Sequence, residues 1–338
     1  MPDTVVLADA RAARFSRTSD GPVELVGRSP AIARVQELVR RAAHADGGTL
    51  LTAEPGTAVD SVARELHLRS RRAASAYVNV RCGAEAPATV DRLLFGVSTP
   101  GTATDLEPVS SDSSVAAAQG GTLFLQDVSE LPASAQARLA RIARDGEVRI
   151  DGVSVSTSFR IIASASPGID GDVHAHRFRA DLYRRLSNIR IDLPPPRERV
   201  GDVPALAARL LEEACAAEGR PPRTFTQAAL ALVGAFTWPG NLAELRSAIG
   251  RVAADSRDDV IQVEDVLPVL QLDRAPAPFA PAGNLREARL RFEREYISAV
   301  LQHHRWSMAD AAHTLGIQRT NLYRKARQLG IPLARMSE

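Results

Sequence analysis

The stretch GGTLLTAEPGTAVDSVARELH, residues 47–67, decides the fold. An apolar run leads into a turn around Gly56 and then into a helical pattern, which is the layout of a phosphate-binding loop between a strand and a helix. The signature of that loop ends in Gly-Lys-Ser/Thr or a close variant, whereas this chain has Ala58, Val59 and Asp60. The stretch therefore has the form of a nucleotide site but lacks the lysine that would contact phosphate.

The sequence around this stretch predicts an α/β domain with a mostly parallel sheet. From about residue 26 to 196, short apolar runs alternate with amphipathic helical patterns, as in βαβ units. The predicted strands are 48–53, 76–82, 121–127 and 159–165, and the predicted helices are roughly 30–43, 59–72 and 132–144.

Other segments have different patterns. The first 25 residues predict a short leader, and residues 197–270 predict a smaller helical subdomain. The stretch RAPAPFAPAGN (274–284) is typical of a linker, and the residues that follow it predict a compact helical module. The predicted boundaries are 1–25, 26–196, 197–270, 271–284 and 285–338.

Composition excludes several classes of protein. The chain has no apolar run of transmembrane length and no signal-peptide layout at its N-terminus, so we expect a cytoplasmic protein without a membrane partner. Cys82 and Cys215 stand alone, and the close pairs His174/His176 and His303/His304 have no Cys or acidic partner at ligand spacing. We predict neither a disulfide framework nor a metal site.

Charge is unevenly distributed along the chain. Residues 284–338 carry ten basic and five acidic side chains, which indicates a polyanion partner for this end. Nearly all 42 basic residues are arginine, and Lys325 is the only lysine in the sequence. No lysine is therefore available near Val59 to replace the missing one.

A collinear set of motifs carries a resemblance to a known family. The motifs are GRSPAIARVQELV (27–39), AEPGTAVDSVARELH (53–67), RLLFG (92–96), GGTLFLQDVSELP (120–132), FRIIASAS (159–166), FRADLYRRLSNIRIDLPPPRERVGDVPAL (178–206) and FTWPGNLAELRSAI (236–249). With the basic tail, the chain resembles the NtrC-like AAA+ activators of sigma-54 RNA polymerase over about residues 25–331. The resemblance implies an αβα P-loop core, a helical lid, a C-terminal Fis-type helix-turn-helix and ring assembly. It also implies ATP hydrolysis at subunit interfaces and a loop that pushes on sigma-54.

Several positions depart from the motifs of this family. Val59 stands in place of the P-loop lysine, and Gln126 stands where the family has the carboxylate that holds the magnesium shell. Asp127 takes the position of the glutamate that polarises water. Ser166 replaces the sensor asparagine, and Ala243 replaces the lid arginine. The sequence therefore predicts that the protein is not an enzyme and that its core is a degenerate ATPase.

The same comparison bears on ligands and on sigma-54. The degenerate site comprises Gly56, Thr57, Val59, Asp60, Gln126 and Asp127. For this site we predict that no cofactor is required. The backbone amides of Gly56 and Thr57 at a helix N-terminus still leave weak ATP or ADP binding open. The segment PGTATD (100–105) replaces the family's Gly-Ala-Phe-Thr-Gly-Ala, and without the phenylalanine direct sigma-54 remodelling is not expected.

Two arginines match the positions at which the family reaches into a neighbour's active site. They are Arg179 and Arg185 in FRADLYRRL. One interpretation is an arginine finger that acts on a partner subunit. The alternative is that both arginines make interface or surface ion pairs that hold the fold, and the sequence leaves the two open.

The C-terminal module predicts a DNA-binding helix-turn-helix. Leu285, Ala288, Phe292, Tyr296 and Val300 form one helical stripe for a core or a dimer seam. Ser307 and Asp310 form a capping box for the next helix, and Gly316 supplies the turn. In QRTNLYRKARQLG (318–330), Leu322, Ala326 and Leu329 are predicted to face inward. The predicted DNA-binding residues are Arg319, Thr320, Asn321, Tyr323, Arg324, Lys325 and Arg327, and no acidic residue occurs between 311 and 337.

Taken together, the residues predict a sequence-specific DNA-binding transcriptional regulator with an ATPase-inactive AAA+ scaffold that acts independently of sigma-54 remodelling. The expected partners are double-stranded DNA, further copies of the chain in a homodimer or larger oligomer, and either RNA polymerase or an intact AAA+ homologue. Two alternatives stay open. One is an ATP-binding, sigma-54-dependent activator that uses atypical motifs, and the other is an accessory subunit in mixed rings with an intact homologue.

Overall fold

The computed structural model describes residues 21–83, 86–97, 106–256, 258–272, 297, 301, 307–314 and 318–329. The chain divides into two compact units, Met1–Gln271 and Leu272–Glu338. The leader up to residue 20, the segment PGTATD, the linker 274–284 and the helical stripe predicted from Leu285 to Val300 lie outside the described residues.

The strands of the first unit form three sheets. They are β1 (Thr49–Thr52), β2 (Tyr77–Arg81), β3 (Glu107–Val109), β4 (Thr122–Gln126), β5 (Glu147–Ile150), β6 (Val153–Ser156), β7 (Arg160–Ala165), β8 (Ile189–Asp192), β9 (Thr224–Phe225) and β10 (Val260–Ile261). The main sheet is parallel throughout, in the order β2-β4-β7-β1-β8. The smaller sheets have the orders β3-β5-β6 and β10-β9.

Some helices of the first unit cover the main sheet, and the others form a separate helical subdomain. They are α1 (Pro30–Ala43), α2 (Val59–Leu68), α3 (Pro87–Phe95), α4 (Ser114–Ala117), α5 (Ala133–Asp145), α6 (Ile169–His174), α7 (Ala180–Leu186), α8 (Val203–Ala217), α9 (Gln227–Gly234), α10 (Asn241–Asp255) and α11 (Val263–Leu272). The strand residues Leu50, Leu123 and Leu125 are fully buried, as expected for a parallel sheet covered on both faces.

Two apolar cores fill the faces of the main sheet, and a third fills the helical subdomain. Leu51, Phe124 and Ile162 pack with α1 and α2 on one face, while α3, α5 and α7 cover the other. Helices α8 to α11 enclose a separate core around Trp238, whose indole nitrogen donates to the Val233 carbonyl oxygen at 3.0 Å. The predicted fold class, an αβα core with a helical lid, is confirmed.

The second unit contains α12 (Met308–Thr314) and α13 (Arg319–Gln328). Leu322 and Ala326 on α13 are fully buried against Ala311 of α12, with Leu329 partly buried beside them. The Ser307 hydroxyl and the Asp310 carboxylate are hydrogen-bonded at 2.6 Å where α12 begins. The buried contacts agree with the inward-facing stripe predicted from the sequence. The Ser307–Asp310 bond joins two side chains, so it is not the side-chain-to-backbone pairing of a capping box.

Candidate nucleotide site and DNA-binding helix

The altered loop lies at the carboxyl edge of the main sheet. The register pairs Thr52 of β1 with Ala165 of β7, and Arg81 of β2 with Gln126 of β4, so the loops that follow these strands leave the sheet at one edge. That edge is where parallel α/β sheets bind ligands. The topology therefore brings together the turn after β1 and the polar residues after β4 and β7.

Gly56 is the residue that shapes the turn. Its φ of +87° is rare for residues with a side chain, and a Cβ atom built on it would lie 2.3 Å from the Gly240 carbonyl oxygen. Only glycine fits this conformation and this approach together. The start of α10, in the helical lid, thus packs directly on the turn.

Three further contacts join the lid to the same turn. The Ala243 amide donates to the Gly56 carbonyl oxygen at 2.8 Å, and Asn241 Nδ2 donates to the Pro55 carbonyl oxygen at 2.7 Å. Glu54 receives two hydrogen bonds from the guanidinium of Arg197, one of them at 2.6 Å. The Arg197 hydrogen bond and then the Asn241 hydrogen bond lower the pKa of Glu54, so this carboxylate stays ionised.

Val59 occupies the lysine position as part of the apolar core. It is the first residue of α2, is 8% exposed and belongs to the apolar core that α1 and α2 form with one face of the main sheet. Asp60 beside it is exposed, and Thr57 closes the turn through its amide, which donates to the Glu54 carbonyl oxygen at 3.3 Å. The start of α2 therefore offers helix-dipole attraction to an anion but no side-chain cation of its own.

The last residue of β4 and the residue that follows it supply oxygen atoms. Gln126 is half-buried, and its Oε1 atom has no hydrogen-bond partner among the described residues. Asp127 is exposed in a left-handed conformation with φ 57°, and its amide donates to the Ser164 hydroxyl at 3.0 Å. An acceptor without a partner among the described residues and an exposed carboxylate at adjacent positions match the oxygen donors that Mg²⁺ prefers.

A buried carboxylate lies on the other side of α2. Glu24 is 1% exposed and accepts a hydrogen bond from the Ser61 hydroxyl at 2.6 Å. Burial raises the pKa of Glu24, against the opposing effects of the Ser61 bond and the Arg246 charge. Arg246 is half exposed and lies 3.9 Å from the carboxylate.

Arg179 and Arg185 lie around helix α7, and both are exposed. The Arg179 guanidinium donates to both oxygens of Asp181, at 3.0 and 2.7 Å, which is the kind of ion pair that the second interpretation expects. Arg185 makes no ion pair within the described ranges. Both line one open cavity, whose volume is about 550 Å³.

The predicted DNA-contacting residues share the outer side of α13. Those exposed to solvent are Arg319, Thr320, Asn321, Tyr323, Arg324 and Arg327, while Lys325 is half-buried. The Arg319 guanidinium lies over the Tyr323 ring, 5.8 Å from its centroid. The exposed side is basic and opposite to Leu322, as a helix that enters a groove between phosphates requires.

The residues that hold the lid on the turn were missed at the level of sequence. Glu54, Arg197 and Asn241 lie inside quoted motifs, but nothing in their spacing shows that they meet. An Asn after Pro-Gly is typical of a left-handed residue, and Asn241 has φ 57°. That signal could have identified the turn but not its partner.

Two negative findings concern the part of the chain that the structure describes. No helix in it is long and apolar enough to cross a membrane. No group of three or more His, Cys, Asp or Glu side chains in it could hold a metal ion by itself.

Comparison with known families matches three consecutive parts of the chain. Residues 25–192 match the Sigma-54 interaction domain, residues 197–279 match the AAA+ ATPase lid domain, and residues 289–329 match the Fis family of bacterial regulatory proteins. The order of the three parts along the chain is the one that the quoted motifs indicate.

Similar proteins are transcriptional regulators. The hydrogenase transcriptional regulatory protein HoxA of Cupriavidus necator is 34% identical, over 88% of this chain and 63% of that protein. The DNA-binding transcriptional regulator NtrC of Azospirillum brasilense is 32% identical, over 99% of this chain and 74% of that protein. The Nif-specific regulatory protein of Azotobacter vinelandii is 33% identical, and the chain spans only 60% of its length.

Solved structures show the same architecture. The structure of NtrX from Brucella abortus in complex with ATP matches with a TM-score of 0.63 and 28% identity, over 90% of this chain and 69% of that chain. The structure of the same protein in complex with ADP matches with a TM-score of 0.62 and 30% identity, over 90% and 69% of the two chains.

These matches overturn the prediction that the protein is not an enzyme. A Sigma-54 interaction domain followed by an AAA+ ATPase lid is the ATPase of this kind of regulator, and both are found here. The prediction was wrong because it took the departures at single positions, such as Val59 and Gln126, as loss of the activity. The matches to the interaction domain and to its lid do not show such a degeneration.

Proposed function

Because the chain belongs to the NtrC-like family of sigma-54 activators, we propose that it is a DNA-binding regulator of sigma-54 promoters that binds and hydrolyses ATP with atypical residues. The observation that carries this proposal is the unbroken order of three matched parts, covering the ATPase domain, its lid and a Fis-type module. The match to a Sigma-54 interaction domain supports sigma-54 dependence better than action independent of it.

The turn after β1 supports binding of the phosphates. Gly56 keeps the backbone free of a side chain, and the N-terminus of α2, a helix of ten residues, favours an anion. NtrX was solved with ATP and with ADP, which supports nucleotide binding at the equivalent turn here. The Gly240 carbonyl and Asn241 lie on the turn, so the lid would report on nucleotide occupancy.

The last residue of β4 and the residue that follows it fit a magnesium ion. The unpartnered Gln126 oxygen and the Asp127 carboxylate would hold it through its water shell. Bound magnesium would neutralise charge on the transferred phosphate. Asp127 is exposed, and its backbone amide donates to the Ser164 hydroxyl; its carboxylate is the group that would orient and polarise the attacking water.

Substitutions on the two sides of the turn test ATP binding and hydrolysis. Val59→Lys restores a cation and should raise ATP affinity by roughly ten-fold, the effect of one charge-assisted hydrogen bond. Asp127→Asn should lower phosphate release by about 100-fold or more while leaving ATP affinity nearly unchanged. Calorimetry measures binding, and a coupled phosphate assay measures turnover.

The exposed Asp258, changed to Asn, is the matched control for Asp127. Phosphate release that is indistinguishable from background, or equal in the wild type and Asp127→Asn, would refute ATP hydrolysis at this site.

Helix α13 supports sequence-specific DNA binding. Asn321, exposed near the start of the helix, is the residue we expect to pair with adenine, and Arg324 is placed for phosphate. Asn321→Ala should cost roughly 1–3 kcal/mol on the operator and little on scrambled DNA. Arg324→Ala should weaken both alike and reduce the salt dependence by about one phosphate contact.

Fluorescence anisotropy on both duplexes at several salt concentrations decides between these effects. Two half-sites about one helical turn apart are expected for a dimer. Equal losses on both duplexes for Asn321→Ala would show that this residue does not read a base.

An accessory role in mixed rings is the second candidate. The observation that favours it is that the nucleotide turn lacks a lysine, whereas several arginines line the open cavity beside Arg179 and Arg185. Such a subunit would contribute arginines to an intact neighbour's site. Adding it to an intact homologue should then raise the homologue's turnover, and Arg185→Ala should remove that increase.

A further inference from the structure

A row of polar side chains crosses the face of the main sheet that α7 covers. On β8, Ile189 and Ile191 pack into the apolar core with α1 and α2, so the alternate residues Arg190 and Asp192 face the opposite side. Strand β8 is at the edge of the sheet beside β1, and the register pairs Asp192 with Thr52. Two oppositely charged side chains therefore lie between the end of β1 and the helices beyond the sheet.

Arg190 is at the centre of this row. Its guanidinium donates to the Asp170 carboxylate of α6 at 2.7 Å, to the Asp192 carboxylate at 2.8 Å and to the Tyr183 hydroxyl of α7 at 3.3 Å. The Tyr183 hydroxyl donates to the second oxygen of Asp170 at 2.6 Å. At the other end, the Thr52 hydroxyl donates to the Asp192 oxygen that Arg190 also reaches. These five residues, the Arg190 network, join the last residue of β1 to α7 without a break.

The ionisation states of the Arg190 network favour its hydrogen bonds. The Arg190 hydrogen bond lowers the pKa of Asp170, and the Asp170 hydrogen bond raises the pKa of Tyr183. The carboxylate therefore stays ionised and the phenol stays neutral, so each donor keeps its acceptor. A single exposed ion pair contributes little to stability, but a guanidinium that bridges two carboxylates makes several charge-assisted bonds at once. Without Arg190, Asp170 and Asp192 lose the cation that they share.

The two ends of the Arg190 network lie beside the parts of the molecule that bear on ATP hydrolysis. Thr52 is the residue from which the chain enters the turn around Gly56. Tyr183 lies two residues before Arg185 on α7, a helix of seven residues. Because α7 is so short, the contact made by Tyr183 fixes the direction in which Arg185 leaves the helix.

We infer that Arg190 is a positioning residue that fixes α7, and with it Arg185, relative to the nucleotide turn of the same chain. The inference deepens the proposed function, and it rests on that function where ATP turnover is the readout. Arg190 acts through Asp170 and Tyr183 and not by contact with nucleotide. Its loss should leave the turn of that chain able to bind ATP but should displace the arginines that the chain offers to a neighbour.

Hydrogen exchange of the full chain, without nucleotide, tests the placement of α7 directly. Arg190→Gln should raise the exchange rate of the α7 amides roughly ten-fold, the effect of losing a hydrogen bond to a charged group, while α1 keeps the wild-type rate. Arg190→Lys should have a smaller effect, since it keeps the charge but loses the planar fork. The matched control is Arg209→Gln on α8, because Arg209 also pairs with two carboxylates, Glu212 and Glu213. Exchange of α7 that is unchanged in Arg190→Gln would overturn the inference.

ATP turnover in mixed assemblies tests which copy Arg190 serves. Arg190→Gln should lower kcat by about 100-fold, the cost of misplacing a reacting group by roughly 1 Å, with KM for ATP close to that of the wild type. Arg34→Gln, which removes an exposed arginine on α1, should change neither constant. Arg190→Gln should regain turnover when mixed with Asp127→Asn, which keeps a placed α7, but not when mixed with Arg185→Ala. Recovery with Arg185→Ala instead would assign Arg190 to its own nucleotide turn and contradict the inference.

The results also separate the inference from the proposed function. Exchange of α7 that depends on Arg190, in a protein that releases no phosphate from ATP, would remove the proposed ATPase and leave the positioning of α7 standing. Phosphate release that depends on Asp127 but is equal in the wild type and Arg190→Gln would retain the ATPase and exclude the positioning role.

Discussion

The nucleotide turn and the arginine-lined cavity differ in charge. At the turn, Val59 stands where a lysine is expected, Glu54 is paired with Arg197, and Asp60 is exposed; the buried Glu24 lies behind α2. The cavity between α5 and α7 has five arginines and one aspartate. The cation that one surface lacks is present in excess on the other.

This contrast teaches that, if the turn of one copy and the cavity of another form one phosphate site, neither half alone sets the affinity for a triphosphate. The sequence shows the loss at Val59 at once, because it occurs inside a known signature. Arg141 and Arg144 of the cavity lie outside the quoted motifs, so no signature marks them.

The largest expected effect is on ATP turnover and comes from removing one arginine of the cavity. Arg185→Ala should lower ATP turnover by about 1,000-fold, since an arginine that meets the transferred phosphate is worth at least that much. Arg185→Lys should recover only part of it. Phosphate release by the full chain measures both, with Arg34→Gln as the control.

Mixing two inactive variants shows whether the two surfaces work on each other. Arg185→Ala retains the turn, and Asp127→Asn retains the cavity, so a mixture should contain some complete sites and recover measurable turnover. No recovery would mean that the nucleotide turn and the cavity do not meet in one catalytic site.

The next effect concerns how tightly the lid holds the turn. Gly56→Ala forces a side chain into φ +87° and into the Gly240 carbonyl, and should cost about 3 kcal/mol or more of unfolding free energy. Gly120→Ala has a similar φ, +75°, with nothing within 4 Å, and should cost only about 1–2 kcal/mol. Urea unfolding of both variants measures the difference.

The difference between the costs of Gly56→Ala and Gly120→Ala measures the contact between lid and turn separately from backbone strain. Equal destabilisation by the two substitutions would show that the Gly240 contact contributes nothing, and that the lid is not held at this point. ATP affinity of Gly56→Ala should also fall, because the displaced turn no longer fits phosphate.

Periodicity and motif order predicted four of the five strands of the main sheet and three of the helices on its faces, and missed β8, α3 and α7. The predicted strand at 121–127 corresponds to β4, and the predicted helix at 59–72 ends earlier, at Leu68. Runs such as TLFL are buried on both faces, so they stand out in the sequence. The β3-β5-β6 sheet was missed because its strands are short and half exposed, with the weak pattern of an edge.

The candidate site was only partly predictable for a different reason. Gly56, Val59 and Asp127 were found because they belong to a linear signature. Arg197 and Asn241 were not, since they reach the turn from 143 and 187 residues along the chain. Contacts of that kind depend on how the lid folds back on the core, and no local sequence pattern predicts this.

The smallest expected effect tests the acidic side of the comparison through Glu24. Burial raises the pKa of this carboxyl above its ordinary value, so the folded state favours the protonated form. Its contribution to stability is fully present below the pKa of the unfolded chain and is lost as the pH rises through the folded-state pKa. Glu24→Gln removes this titration while its amide oxygen can still accept from Ser61. The free energy of unfolding of the variant should therefore rise relative to that of the wild type as the pH rises through and above the ordinary glutamate pKa of 4.5. Urea unfolding across this range measures it, with Glu37→Gln, an exposed residue on α1, as the control. A constant difference between Glu24→Gln and the wild type would mean that Arg246, 3.9 Å away, already neutralises the carboxylate, and the turn would be less acidic than its residues indicate.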